Sequence, residues 1–230
     1  MKNFSLMILA AGYGKRMEYL TQDIPKPLLK INDKELLGYN IEFFIKLGCD
    51  KIIINTHYLH HEIKIFVEKK FFNKNINLIF EPKLLNTGGG IKNALSFFGD
   101  KNFLVTNSDI LWNDDNVKDV KNFINGYQEV KSCKLLLVEN KKFKGLKKHE
   151  GDFKLDKGLI TRWKENDPQL YFSGLQIINP KIFSKINQDS FSMNLLWDIL
   201  SKNNQLQGQT MNSVVIHIGD KNSYNEIKNN

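Results

Sequence analysis

Cysteine is scarce in this chain of 230 residues. Cys49 and Cys133 are its only two, too few and too widely spaced for a disulfide framework, so a reducing cytoplasm is the expected compartment. No apolar run reaches the roughly 18 residues that a membrane span requires, so no membrane partner is expected. The apolar N-terminal run also lacks the long core and cleavage site of a secretory leader, because it passes directly into a glycine loop. Arginine is limited to Arg16 and Arg162, and lysine supplies most of the net charge of +8. The lysines are spread along the chain, with one concentration at 141–148 that reads as a solvated loop. No helix-turn-helix, zinc or aromatic RNA-binding signature accompanies them, so no nucleic-acid partner is expected, and the positive field suits small anionic substrates. Internal repeats and low-complexity linkers are absent, including any hexapeptide repeat after residue 200.

What is present reads as an alternation of short apolar strands and helices. Residues 5–10 form a buried strand, followed by a helix at 35–47 ended by Gly48. A strand at 51–55, a helix at 57–70 and a strand at 76–80 come next. A glycine loop, Asn86-Thr87-Gly88-Gly89-Gly90, leads into a helix at 91–98; a strand at 103–106 and a helix at 116–125 follow. This alternation predicts an α/β fold with a mainly parallel, mixed central sheet covered by helices on both faces and ligands above the strands' carboxyl ends. From about residue 134 strands dominate, at 135–139, 153–155, 159–163, 171–178 and 214–218, with helices at 180–186 and 193–202. Residues 225–230 read as a frayed tail. With 41% hydrophobic residues the chain can bury one substantial core, and a single domain over 1–230 is expected.

The densest chemical information lies in Leu9-Ala10-Ala11-Gly12-Tyr13-Gly14-Lys15-Arg16-Met17 and in Pro25-Lys26-Pro27-Leu28-Leu29. The two glycines let backbone N–H groups approach an oxyanion, and Arg16 offers a bidentate fork that lysine cannot imitate. Met17 stands where a dinucleotide fingerprint needs glycine or alanine, and the Gly-Lys-Ser/Thr of a Walker loop is missing. Further on, Asn107-Ser108-Asp109 follows a buried strand. Its aspartate could present a carboxylate to a hard cation, and the same three residues equally favour a plain strand-ending turn.

Taken together, the first loop and the Pro-Lys-Pro segment resemble the signature of sugar-phosphate nucleotidyltransferases. Asn86 to Ile91, Glu150-Gly151-Asp152-Phe153, and Phe172-Ser173-Gly174-Leu175 before Asn179-Pro180 look most like the N-acetylmuramate 1-phosphate uridylyltransferases of peptidoglycan recycling. The resemblance covers nearly the whole chain. It implies a Rossmann-like, glycosyltransferase-A-like fold, with residues 1–133 as the nucleotide-binding part and 134–224 as the sugar-phosphate-binding part. The substrates implied are a nucleoside triphosphate, UTP above others, and a sugar 1-phosphate, in a monomer or small homo-oligomer. Arg16, Lys26 and Asp109 take the catalytic places. The loop from Leu9 through Ala10, Ala11, Gly12, Gly14 and Lys15 to Arg16 holds the nucleotide, with Thr87, Gly88 and Gly89 against its base. Lys26 also contacts the acceptor phosphate, while Asn107, Asp152, Glu165, Ser173 and Gly174 line the sugar pocket. Asp109 binds magnesium.

One place departs from the pattern. Where the family carries a second metal-binding aspartate near the C-terminus, this chain has His217 in Val215-Ile216-His217-Ile218-Gly219. Magnesium prefers oxygen, so the place reads as a second ligand with a changed metal preference, manganese included, as a structural residue that leaves Asp109 the single ligand, or as a mark of impaired catalysis. Asp220, three residues on, is the alternative oxygen donor. His57, His60 and His61 read as a surface helix without a third metal ligand. A mannose or heptose 1-phosphate guanylyltransferase, a choline-phosphate cytidylyltransferase and a non-catalytic nucleotide-sugar-binding protein are the rival readings.

Overall fold

The computed structural model describes residues 3–145 and 149–228. Lys147 and Lys148 of the basic concentration lie outside the described residues. The strands are β1 (Phe4–Leu9), β2 (Lys30–Ile31), β3 (Lys34–Glu35), β4 (Cys49–Thr56), β5 (Ile76–Phe80), β6 (Phe103–Asn107), β7 (Cys133–Glu139), β8 (Phe143–Lys144), β9 (Phe153–Asp156), β10 (Leu159–Arg162), β11 (Leu170–Ile178), β12 (Leu206–Thr210) and β13 (Val215–Ile216). The helices are α1 (Leu36–Lys46), α2 (His60–Phe71), α3 (Asn86–Asn93), α4 (Val117–Ile124), α5 (Met193–Lys202) and α6 (Lys221–Lys228).

Nine strands form one continuous sheet in the order β5-β4-β1-β6-β11-β7-β12-β10-β9. From β5 to β6 all neighbours are parallel; β11 then pairs antiparallel with both β6 and β7. The sheet is therefore parallel through the first half and mixed through the second. Strand β1 has apolar residues on both sides because both of its faces are covered. Leu6 and Ile8 join the core under α1, α2 and α4, whereas Met7 points to the opposite core under α3 and α5. A third cluster, with Met17, Leu29, Leu111, Ile218 and Tyr224, packs the underside of the first glycine loop. Among the described residues no helix is long and apolar enough to cross a membrane.

Several elements differ from expectation. The glycines of 86–90 lie inside α3, not in a loop before a helix at 91–98. The tail at 225–230 is helical through Lys228: α6 is opened by Asp220 Oδ1, which accepts from Ser223 N at 2.8 Å, and is anchored by buried Tyr224, whose hydroxyl donates to Lys30 O. His57 precedes α2, which begins at His60 after a left-handed Leu59, so the three histidines do not share a helix. Strand β12, Leu-Gln-Gly-Gln-Thr, escapes the sequence reading because its polar residues hide its pairing with β7.

Candidate active site

The carboxyl ends of β1 and β6 open into a cleft of about 380 Å³. Its floor and one wall are the loop that leaves β1: Leu9, Ala10, Ala11, Gly12 and Gly14 line it, with Lys15 and Arg16 at its lip. A Cβ on Gly12 would meet no atom within 4 Å, so the missing side chain there leaves open cleft. Gly14 adopts the left-handed φ of 68°, and a Cβ on it would stand 3.1 Å from Lys26 Cβ. Glycine here satisfies the turn and also lets Lys26 come close to the loop. Arg16 is exposed and makes no ion pair among the described residues, which leaves its guanidinium available for an anion.

Lys26 enters from the opposite side on a single turn, Lys26–Leu28, that the flanking prolines favour. Its Nζ lies 2.6 Å from Asp109 Oδ2 and 3.4 Å from Gly219 O. Asp109 sits where β6 ends, and its position is fixed by the backbone: Ser108 N donates to Leu9 O, Ile218 N donates to Asp109 O, and buried Asn40 donates to the carbonyls of Ser108 and Ile110. Burial raises the Asp109 carboxyl's pKa, but Lys26 and then His217 outweigh it, holding the group ionised well below the usual carboxylate range. His217 Nε2 stands 3.3 Å from the same Oδ2, and its ring stacks on Phe143 at 5.8 Å between centroids.

Asp109 Oδ1 is buried without a hydrogen-bond partner among the described residues. A hard, unpaired carboxylate oxygen fits a divalent cation, and buried polar groups otherwise find partners. The fit extends to one carboxylate only. His217 brings nitrogen, Asp220 caps α6, and among the described residues no three His, Cys, Asp or Glu side chains cluster. Phosphate oxygens and water would complete the shell, as is usual for magnesium.

The far wall comprises Leu84, Asn86, Thr87 and Asn55. Gly88 and Gly89 stand behind this wall. Their N–H groups both donate to Phe191 O, and a Cβ on Gly89 would lie 2.1 Å from Asp189 O, so these glycines admit a strap of the chain itself. Thr87 Oγ1 accepts from Met193 N at the other end of that strap. Asn107 and Ser108 line the cleft beside Asp109, whereas Asp152, Glu165, Ser173 and Gly174 belong to the neighbouring strands and turns. Gly174, left-handed at φ 93°, would bring a Cβ to 2.5 Å from Ile110 Cγ1 and 3.7 Å from Asn107 Cβ. Ser173 is fully buried, and its Oγ has no hydrogen-bond partner among the described residues. Asp152 accepts from Phe172 N, and Glu165 is exposed on a turn fastened by Asp167. Sequence reasoning missed Asn55, Leu84, Asn86, Pro27 and Gly219 as cleft residues. Pro27 and Asn86 stand inside the two motifs and carried that signal, and Asn55 carried that of a polar residue at the end of an apolar strand.

A family model described as nucleotidyl transferase matches residues 5–190. An N-acetylmuramate alpha-1-phosphate uridylyltransferase of Neisseria meningitidis serogroup B is 33% identical over 219 residues, covering 93% of this chain and 92% of the relative. A D-glycero-alpha-D-manno-heptose 1-phosphate guanylyltransferase of Aneurinibacillus thermoaerophilus is also 33% identical, over 106 residues and 46% of each chain. Among solved structures, HddC from Yersinia pseudotuberculosis complexed with GMP-PN superposes with a TM-score of 0.77 at 26% identity, over 98% of both chains.

Proposed function

The chain belongs to the nucleotidyl transferase family as a sugar-1-phosphate nucleotidyltransferase, and we propose that it joins UTP to N-acetylmuramate 1-phosphate, giving the UDP-sugar and pyrophosphate. The observation that carries this reading is the convergence of Gly12, Arg16, Lys26 and Asp109 on one cleft from distant parts of the chain. UTP is favoured because the uridylyltransferase relative is 33% identical over nearly the full length, whereas a guanylyltransferase relative that covers as much of this chain is 26% identical and the one that is 33% identical covers about half.

In this reading an oxygen of the acceptor phosphate attacks the α-phosphorus in line. The bond from that phosphorus to the bridging oxygen breaks, and the electron pair leaves with pyrophosphate. No covalent enzyme intermediate is needed, so positioning and charge neutralisation are the catalytic devices. Arg16 and the loop amides hold the β- and γ-phosphates. Lys26 exchanges its contact with Asp109 for the α-phosphate and the acceptor phosphate. Asp109, with His217 beside it, would hold magnesium or manganese, which supplies further charge neutralisation at the phosphates. Asn107, Asp152, Glu165, Ser173 and Gly174 are assigned to the sugar side; the place of Asn107 on the cleft lining supports this for that residue. A cytoplasmic place in peptidoglycan recycling follows from the same substrate assignment.

A pyrophosphate-release screen of four nucleoside triphosphates against a panel of sugar 1-phosphates tests the proposal. UTP with N-acetylmuramate 1-phosphate is expected to give the highest kcat/KM. A preference for GTP with a heptose or mannose phosphate would support the guanylyltransferase reading, which the likeness to the heptose 1-phosphate guanylyltransferase and to HddC complexed with GMP-PN raises.

A further inference from the structure

Three side chains in the four residues 55–58, at the end of β4, reach three separate points of the segment that carries the glycine loop. Asn55 Oδ1 accepts from Ala10 N at 3.0 Å, where the loop leaves β1. His57 Nε2 lies 2.9 Å from the hydroxyl of Tyr13, at the tip between the two glycines. The Tyr58 hydroxyl is shared between the carbonyls of Thr21 and Gln22, at 2.9 and 2.8 Å, where the segment turns back. Glu81 completes the set from the end of β5. Its backbone carbonyl stands 2.7 Å from His57 Nδ1, and its fully buried carboxylate accepts from Asn55 Nδ2 at 2.7 Å and from Leu85 N at 3.0 Å.

The direction of these bonds follows from the donors available. A backbone carbonyl only accepts, so His57 carries a proton on Nδ1; in the neutral imidazole Nε2 then accepts from the Tyr13 hydroxyl. The amide of Asn55 is satisfied on both sides, which fixes its rotamer as well as its orientation. The fold also makes room for the pair, because a Cβ on Gly90 would lie 2.7 Å from both Asn55 Nδ2 and Glu81 Oε1. Glycine at 90 is thus explained by the buried amide and carboxylate, not by the cleft.

We propose that Asn55, His57, Tyr58 and Glu81 form a rack that presets the glycine loop for a triphosphate, with His57 acting as a positioning residue through Tyr13. The inference rests on the nucleotidyltransferase reading for its ligand, but the rack itself is made by protein groups alone. A loop held in its binding shape loses less conformational freedom when phosphate arrives, so loosening it weakens nucleotide binding selectively. The acceptor sugar, which does not depend on the loop tip, is unaffected.

Two measurements on Tyr13→Phe, His57→Phe and the double variant test the rack. The first is the rate of trypsin cleavage after Lys15 and Arg16 in the unliganded, folded protein, followed by mass spectrometry. Tyr13→Phe, which loses one neutral hydrogen bond, is expected to be cut about threefold to tenfold faster, His57→Phe, which also loses the bond to Glu81 O, at least as much faster, and the double variant no faster than His57→Phe alone. The second is calorimetric binding of UTP, expected to weaken by a similar factor while KM for the sugar 1-phosphate stays constant. His57→Gln, which can still donate and accept, should recover part of both losses. Cleavage unchanged in the single variants, effects that add in the double variant, or a rise in the acceptor KM equal to that for UTP would each overturn the proposal. Failure of the wild-type protein to bind any nucleoside triphosphate, with faster cleavage in the variants, would instead remove the nucleotidyltransferase reading and leave the rack standing.

Discussion

Lys26 and Asp109 meet at 2.6 Å with side chains only 12% and 18% exposed, so each is the other's counter-charge in a place where water can do little. That pairing is legible in the sequence only as two separate hints, a lysine between prolines and an aspartate after a strand. Lys26→Ala and Asp109→Asn are each expected to lower kcat by about a hundredfold or more, the scale for removing a group that stabilises developing charge. Far-UV and near-UV circular dichroism should confirm that the variants fold, since an uncompensated Asp109 also costs stability. Near-normal turnover in a folded variant would refute the assigned role. His217 calls for a different measurement. An aspartate in its place would offer oxygen beside Asp109, and His217→Asp is expected to tighten magnesium binding by about tenfold relative to manganese, the range over which a metal's surroundings act. Direct calorimetric titration of both ions reads this without reference to turnover. An unchanged ratio would show that His217 serves Asp109 and not the cation.

Helix α3 shows how an element can be right in place and misread in kind. Three consecutive glycines favour a loop by local propensity, yet they are helical because segment 188–193 and the Asn55–Glu81 pair press against them. Tertiary contact overrides propensity here, since a side chain would collide with backbone that has nowhere to go. Gly89→Ala places a Cβ 2.1 Å from Asp189 O and is expected to destabilise the protein by about 1–3 kcal/mol, seen as a lower urea midpoint. Gly12→Ala supplies the contrast. Its Cβ points into open cleft, so the urea midpoint should barely move while UTP binding weakens. Equal midpoints for the two variants would show that the strap yields. In α6, only Tyr224 and Ile227 join the apolar cluster, too few for the hydrophobic period to show in sequence, and the Asp220 cap decides the helix.

At the scale of the molecule, the change in pattern near residue 134 coincides with the start of β7, but hydrogen bonding does not stop there. Strand β11 pairs with β6 from the first half and β7 from the second, and one core cluster holds Phe4, Ile54, Leu136 and Tyr171 together. One cooperative unit is therefore expected. Urea unfolding followed by tryptophan fluorescence and by far-UV circular dichroism should give coincident single transitions. Two separated transitions would instead mean that residues 1–133 and 134–224 fold as distinct units. Both cysteines are buried, and desolvation pushes the Cys49 thiol up to about 12, which agrees with thiols that play no part in the surface chemistry.

The α/β alternation and the strand that runs into the glycine loop were determined by local sequence, because apolar period and glycine spacing are properties of neighbouring residues. What only the tertiary structure decided are meetings across long stretches of chain. Lys26 finds Asp109 across 83 positions, and His217 finds it across 108. Asn55 finds Ala10 across 45. No local pattern encodes such partners, since their distances are set by strand order and sheet register, which the packing of both faces selects as a whole.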